Sequence, residues 1–169
     1  MRLRLIFGLA LAAPLLMGNN DCGGPDECIP PANDPLACEP DAPQCTLPSS
    51  GLYATFKKAG AFFNVHFTSA AGKQAVRSRW ISRVSVMVPH GNLVCGSSAQ
   101  NCDRNWEISP SNASVADVTA EVCDYHPASL DNPADCNQLR NDVGTYCPWS
   151  SELLELRDCD ISGCPVISR

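Results

Sequence analysis

Cysteine is missing from one long stretch of a chain that otherwise holds eleven: none stands between Cys45 and Cys95. No Cys-x-x-Cys pair occurs, so the usual thiolate spacing of structural zinc is absent. Histidine is scarce, at three residues. His-Glu-x-x-His, Gly-x-Ser-x-Gly and Asp-based phosphate motifs are all missing, and no stretch carries a trusted catalytic or cofactor signature. There is no aromatic-rich RNA signature and no internal repeat, so nucleic acid is not an expected partner. Charge is also missing by sign. Residues 19–48 hold no base, and residues 49–94 hold no acid.

What is present begins with Arg2 and Arg4, followed by an apolar run from Leu5 to Met17 broken by Gly8 and Pro14. A charged start, a short apolar stretch and a small residue at its end are the parts of a secretory signal peptide, with cleavage after Gly18. The run falls short of the roughly 20 residues a spanning helix needs. The expected divisions are therefore a signal peptide at 1–18, an acidic Pro/Cys-rich arm at 19–48, and one globular domain at 49–169. Removal of the leader takes two of the twelve basic residues, leaving ten against eighteen acids.

In an exported chain the cysteines read as a disulfide framework. The members are Cys22, Cys28, Cys38, Cys45, Cys95, Cys102, Cys123, Cys136, Cys147, Cys159 and Cys164. Spacing does not fix their connectivity. The number is odd, so one is left over, and a disulfide-linked dimer through it is one outcome. The arm holds seven prolines and four of these cysteines. Proline removes donors and fixes φ, so neither helix nor sheet runs through it. Loops closed by the arm's own disulfides are the expectation.

Period-two alternation starts at Gly51. Leu52, Ala54 and Phe56 alternate with polar neighbours, and Ala61, Phe63, Val65 and Phe67 follow a turn at Lys58–Gly60, which is a hairpin signal. Trp80 to Val88 reads as a third strand, Pro89–Asn92 as a turn, and Leu93–Cys95 and Arg104–Ile108 as short strands. The fold class expected is α+β dominated by β, with an antiparallel sheet over about 51–108 and short C-terminal helices, stapled by disulfides. Residues 115–122 fit helix and strand equally, with Ser114 and Asp117 spaced as a capping box. Asn132-Pro133 announces a helix to about Arg140. Ser150 or Ser151 is placed to cap another over Glu152–Arg157.

Five features carry candidate chemistry. Lys57, Lys58, Lys73, Arg77, Arg79 and Arg83 would attract an anionic surface or glycan if they cluster. Asp158, Asp160 and Ser162, with Gly163 next, have the spacing of the first half of a calcium loop, but Arg169 stands where the closing glutamate belongs. His90, Glu107 and His126 are the acid–base set available to a hydrolase or nuclease. The proline loop from Cys28 to Cys38 has the form of a preorganised inhibitor loop. Asn112-Ala113-Ser114 is an N-glycosylation sequon.

The reading these support is a secreted, disulfide-bonded binding protein of unidentified ligand, extracellular or periplasmic, whose partner is an anionic surface, a glycan or another secreted protein. No cofactor is called for. A small secreted hydrolase or nuclease is the alternative, and an inhibitor or toxin-like effector the third reading.

Overall fold

The computed structural model describes residues 45–169. Cys22, Cys28, Cys38 and the proline loop lie outside the described residues, as does the leader. The elements are β1 (Leu52–Lys58), β2 (Ala61–Phe67), α1 (Ala70–Ile81), β3 (Val86–Cys95), β4 (Trp106–Ile108), β5 (Ser114–Ala116), α2 (Pro133–Asp142), β6 (Thr145–Tyr146) and β7 (Ser151–Asp158). Short 3-10 turns at Glu121–Cys123 and Pro127–Asp131 precede α2. The strands form one antiparallel sheet in the order β2-β1-β7-β3-β4, with β5 and β6 also bonded to β3. The expected β-dominated α+β class is the one observed.

The β1–β2 hairpin follows its alternation. Ala59 and Gly60 both take positive φ, 48° and 82°, the pairing a two-residue turn needs to match strand twist. Leu52, Ala54, Phe56, Phe63, Val65 and Phe67 are all buried on one face. Phe56 stacks on Phe63 at 5.5 Å, Phe63 meets Trp106 at 5.7 Å, and Trp106 meets Tyr146 edge-on at 4.8 Å. This aromatic row joins the hairpin to β4 and β6. The Trp106 and Tyr146 polar ends are satisfied inside, by Pro127 O at 2.9 Å and Tyr125 O at 3.1 Å.

Three expectations are corrected. Trp80 belongs to α1, not to a strand. Gly72, Val76 and Trp80 are its buried positions, spaced four apart on one helical face, and Ser69 caps the helix by accepting the Gly72 N–H. Gly72 is small of necessity, because a Cβ there would lie 2.1 Å from Ala113 O. The turn expected at Pro89–Asn92 is instead the middle of β3. Pro89 is tolerated because it falls between the residues bonded to β7, Val86 and Met87, and those bonded to β6, Gly91 and Asn92, so no ladder donor is missed on that side. The helix expected over Glu152–Arg157 is strand β7. Its register against β1 shifts between Thr55 and Phe56, so that Leu153 and Glu155 are successive partners and Leu154 is bulged out. The bulge turns Leu153 and Leu156, three apart, to the same buried face, and that spacing imitates a helix. The sheet accordingly extends well past residue 108.

Asn132 caps α2 as expected, accepting the Ala134 N–H at 3.0 Å. Residues 115–122 divide between the end of β5, an extended link and the start of a 3-10 turn. All eight described cysteines are paired: Cys45–Cys102, Cys95–Cys136, Cys123–Cys147 and Cys159–Cys164. Cys45 thus ties the end of the arm to the 96–105 loop rather than closing a loop within the arm. With those eight paired, the odd cysteine of the eleven falls among Cys22, Cys28 and Cys38. No described helix is long and apolar enough to cross a membrane.

Candidate functional site

The segregated charges of the sequence meet as ion pairs. Lys58 pairs with Asp124, Lys73 with Asp160 at 2.8 Å, Arg77 with Asp158 at 2.6 Å, and Arg79 with Asp117. Four of the six basic side chains that were candidates for anion binding are therefore spent on carboxylates of the last third. Lys57 lies over the Phe62 ring, 5.4 Å from its centroid, and Arg83, exposed just beyond α1, makes no ion pair among the described residues. The Arg79 hydrogen bond holds the Asp117 carboxyl below its ordinary range. Asp160 is lowered first by Lys73 and then by the Gly51 N–H, which donates to its other oxygen at 2.8 Å.

Those contacts also describe the calcium-like stretch. One Asp158 oxygen accepts from Arg77 and the other accepts the Asp160 N–H, so both are occupied within the protein. Ser162 sits in an exposed turn that the Cys159–Cys164 bridge closes. Among the described residues, no three His, Cys, Asp or Glu side chains gather as a metal-binding group.

The three acid–base candidates are dispersed. His90 faces Ser114 across β3–β5, and Glu107 faces Val94 across β3–β4. Four residues along a strand separate them by roughly 13 Å, beyond hydrogen-bond reach. His126 is engaged at the start of the second 3-10 turn, its Nδ1 accepting the Ala128 N–H at 3.2 Å. Burial lowers the His90 pKa. Asn112 is exposed in the turn before β5, and its Oδ1 accepts the Asn92 N–H at 3.1 Å.

The outer face of the β2-β1-β7 half carries His66, Tyr53 and Arg157 in one cross-strand row and Asn64, Thr55 and Glu155 in the next. This cluster satisfies itself. Arg157 is bidentate to Glu155 at 2.5 and 3.1 Å, Thr55 donates to Asn64 at 2.9 Å, and Tyr53 donates to Gln100 O at 2.7 Å. The Cys45–Cys102 strap and the Cys159–Cys164 turn cover Tyr53, whose phenol pKa is pushed up mainly by burial.

A different feature is open. Arg77 and Ile81 on α1 face Ile161, Pro165, Val166 and Ile167 across a groove of about 350 Å³, with Asp158 at its base. Ile81, Ile161 and Val166 are 61, 55 and 48 % exposed. Two elements shape it. Lys73, Arg77 and Ile81 form a stripe at helical spacing, drawn onto the 158–160 turn by its two carboxylates. The segment 165–167 lies along β7, with Asp158 N–H donating to Pro165 O at 2.9 Å and Ile167 N–H donating to Leu156 O at 2.8 Å. It is fixed from the other side by Trp80, whose Nε1 donates to Ile167 O at 2.7 Å, and Arg169 stacks on the Trp80 ring. None of the apolar groove residues stands out in the sequence. Ile81 reads there as part of a strand, and Ile161 lies inside the calcium-like motif; the i, i+4 stripe on α1 is the available signal.

No curated protein and no solved structure matches the chain significantly. The sequence model of the BP-74 N-terminal domain matches residues 51–159. The two ends of that match are in contact, Cys159 N–H donating to Gly51 O at 2.8 Å, so it encloses β1 through β7 as one closed unit. Cys45, Cys164 and the 165–167 wall of the groove lie outside it. The match takes in well over half of the sequence, and the chain belongs to the BP-74 N-terminal domain family.

Proposed function

We propose that this chain is a secreted, disulfide-bonded binding domain that holds a segment of another protein in the groove between α1 and residues 158–167. The observation that carries the reading is the exposed apolar lining of that groove, Ile81, Ile161 and Val166, on a domain where four of the six candidate anion-binding cations are paired with carboxylates. Its volume of about 350 Å³ stands at the low end of the ~300–1,000 Å³ typical of small-molecule sites, and it is open along one side. It suits two or three side chains of a partner better than an enclosed ligand. Pairing of all eight described cysteines favours an oxidising compartment, in line with the leader at 1–18. An N-glycan on Asn112 belongs to the same reading, since Oδ1 is held by the Asn92 backbone and Nδ2 is the atom left for attachment.

A peptide-display selection on the immobilised full chain, repeated on the folded double variant Ile81→Glu/Val166→Glu, tests the groove. Wild type should enrich apolar-anchored peptides that lose at least about tenfold in affinity on the double variant, roughly 1.4 kcal/mol. Equal enrichment on both proteins, or none on either, overturns the proposal.

A further inference from the structure

We infer that the groove takes its partner as an extended strand that pairs with Val166, with apolar side chains alternating with acidic ones. The inference rests on the groove being the binding site and adds the conformation and charge of what enters it.

The backbone of Val166 supplies the first argument. Val166 stands opposite Arg157 in an antiparallel bridge, and the two hydrogen bonds of that bridge are made by its neighbours, Pro165 O and Ile167 N–H. In an antiparallel ladder, alternate residues send their N–H and C=O to opposite sides. The Val166 groups therefore point away from β7, and among the described residues no backbone group takes them up. Other sheet edges are blunted. At the outer edge of β2, Phe62 O accepts from Arg104 Nε at 2.8 Å, Asn64 N–H donates to Asn101 Oδ1 at 2.8 Å, and just past its end Thr68 N–H donates to Pro110 O at 3.0 Å. On β4, Trp106 O accepts from Asn101 Nδ2 at 2.7 Å. An unpaired edge beside an apolar groove is the arrangement that strand addition uses: main-chain bonds hold the peptide, and alternate side chains fill the groove.

Size gives the second argument. A helix laid into a groove presents anchors over two or three turns, at i, i+3, i+4 and i+7. Seven residues line this one, and Cys164, the preceding residue on the open edge, already gives its N–H to Ile161 O at 3.1 Å, so the ladder does not extend past Val166 in that direction. The fit is a short strand with one or two apolar side chains over Ile81 and Ile161.

Charge sets the sequence of that strand. Residues 49–94, which include the whole α1 wall, hold no acid. Arg77 keeps 45 % of its side chain exposed while its partner Asp158 keeps 14 %, so the guanidinium is the face the pair shows to solvent. Arg83, two residues past Ile81 and outside the groove lining, is exposed and makes no ion pair among the described residues. In a strand, residues that alternate with the apolar anchors turn to the opposite face, out of the groove toward solvent, and carboxylates there would be drawn to the solvent-exposed part of Arg77.

The test uses the full disulfide-intact chain and the labelled probe acetyl-Glu-Val-Glu-Ile-Glu-Val-Glu-amide, followed by fluorescence anisotropy. In such a peptide the N–H groups of the apolar residues all lie on one edge and those of the acidic residues on the other. N-methylation of one set should weaken binding at least about tenfold, and methylation of the other set should leave it within about twofold. A Lys-for-Glu version of the probe, and the variant Arg83→Glu with the parent probe, should each bind several-fold more weakly. If both methylated probes bind like the parent while Ile81→Glu abolishes binding, the groove stands and strand pairing is overturned. If Ile81→Glu changes nothing, the groove itself is overturned. Retention on phosphatidylserine vesicles without any binding of the probe would make the face a lipid surface and overturn the peptide reading.

Discussion

Residues 52–67 and residues 95–147 reach order by different means. The first stretch has no cysteine and two seven-residue strands in unbroken register, with six side chains buried on one face. The second has strands of only three, three and two residues, with 3-10 turns and a ten-residue helix between them, and every one of its five cysteines is bonded. Where the chain alternates well enough to build a long ladder and bury aromatics, no covalent constraint is present. Where prolines, asparagines and short runs leave the ladder broken, disulfides restrict the unfolded chain instead. β3 links the two, bonding β7, the neighbour of β1, at one end and β4, β5 and β6 along the rest.

Reduction should break the comparison most. The Cys45–Cys102, Cys95–Cys136 and Cys123–Cys147 loops span 57, 41 and 24 residues. Each contributes about 3–4 kcal/mol on the chain-entropy account, and together that rivals the ~5–15 kcal/mol stability of a whole domain. Hydrogen exchange in rising reductant should show amides of 96–147 losing protection first and those of β1 and β2 last. Simultaneous loss everywhere would mean that the two regions are one cooperative unit.

The converse change attacks the unstapled region. Phe56 is fully buried against Phe63, which in turn meets Trp106. Phe56→Ala should cost about 4 kcal/mol in urea titration, the usual figure for an aromatic lost from a packed core. A cost under about 1 kcal/mol would show that the disulfides, not the aromatic row, hold the hairpin in place.

The same contrast explains what is legible in the sequence alone. β1 and β2 are, because their period is intact and their turn carries the needed glycine. β7 is not, because the bulge at Leu154 spaces Leu153 and Leu156 as a helix would. α1 is hidden because Trp80 continues the alternation of Ser82, Val84 and Val86 on paper, with Ile81 on the opposite phase, whereas Ser69 and the Gly72–Val76–Trp80 spacing decide the matter in three dimensions. The groove depends on α1 and on how 165–167 lies along β7, so it is invisible for the same reasons. The charge segregation is plain in the sequence, but the ion pairs it forms span 38 to 87 positions and need the fold to be seen.

A smaller effect sharpens the difference. Cys159 and Cys164 enclose only five positions, for which the same entropy relation gives about 2 kcal/mol. Replacing both by Ala should lower the urea midpoint by a corresponding amount and leave β1–β2 protection unchanged. Loss of the groove probe should accompany it, because this bridge braces the turn that carries Ile161. Unaltered probe binding would separate the brace from the groove wall.

The smallest expected change lies in the strand that links the two regions. His90 is half buried at the centre of β3, and burial holds its pKa below the ordinary 6.5. Above pH 6.5 the imidazole is neutral in folded and unfolded chains alike, and its ionisation costs nothing. As pH falls through 6.5 the unfolded chain takes up the proton first, so stability declines with falling pH. The decline ends once the folded state also protonates, below its lowered pKa. His90→Gln should therefore remove one component of the acid-side slope between pH 6.5 and that lower value, and leave the slope above it untouched. Parallel stability curves for the two proteins from pH 7.5 to 5 would show that β3 opens at His90 readily enough to hydrate the ring. In that case the strand joining the two regions would be looser than either of them.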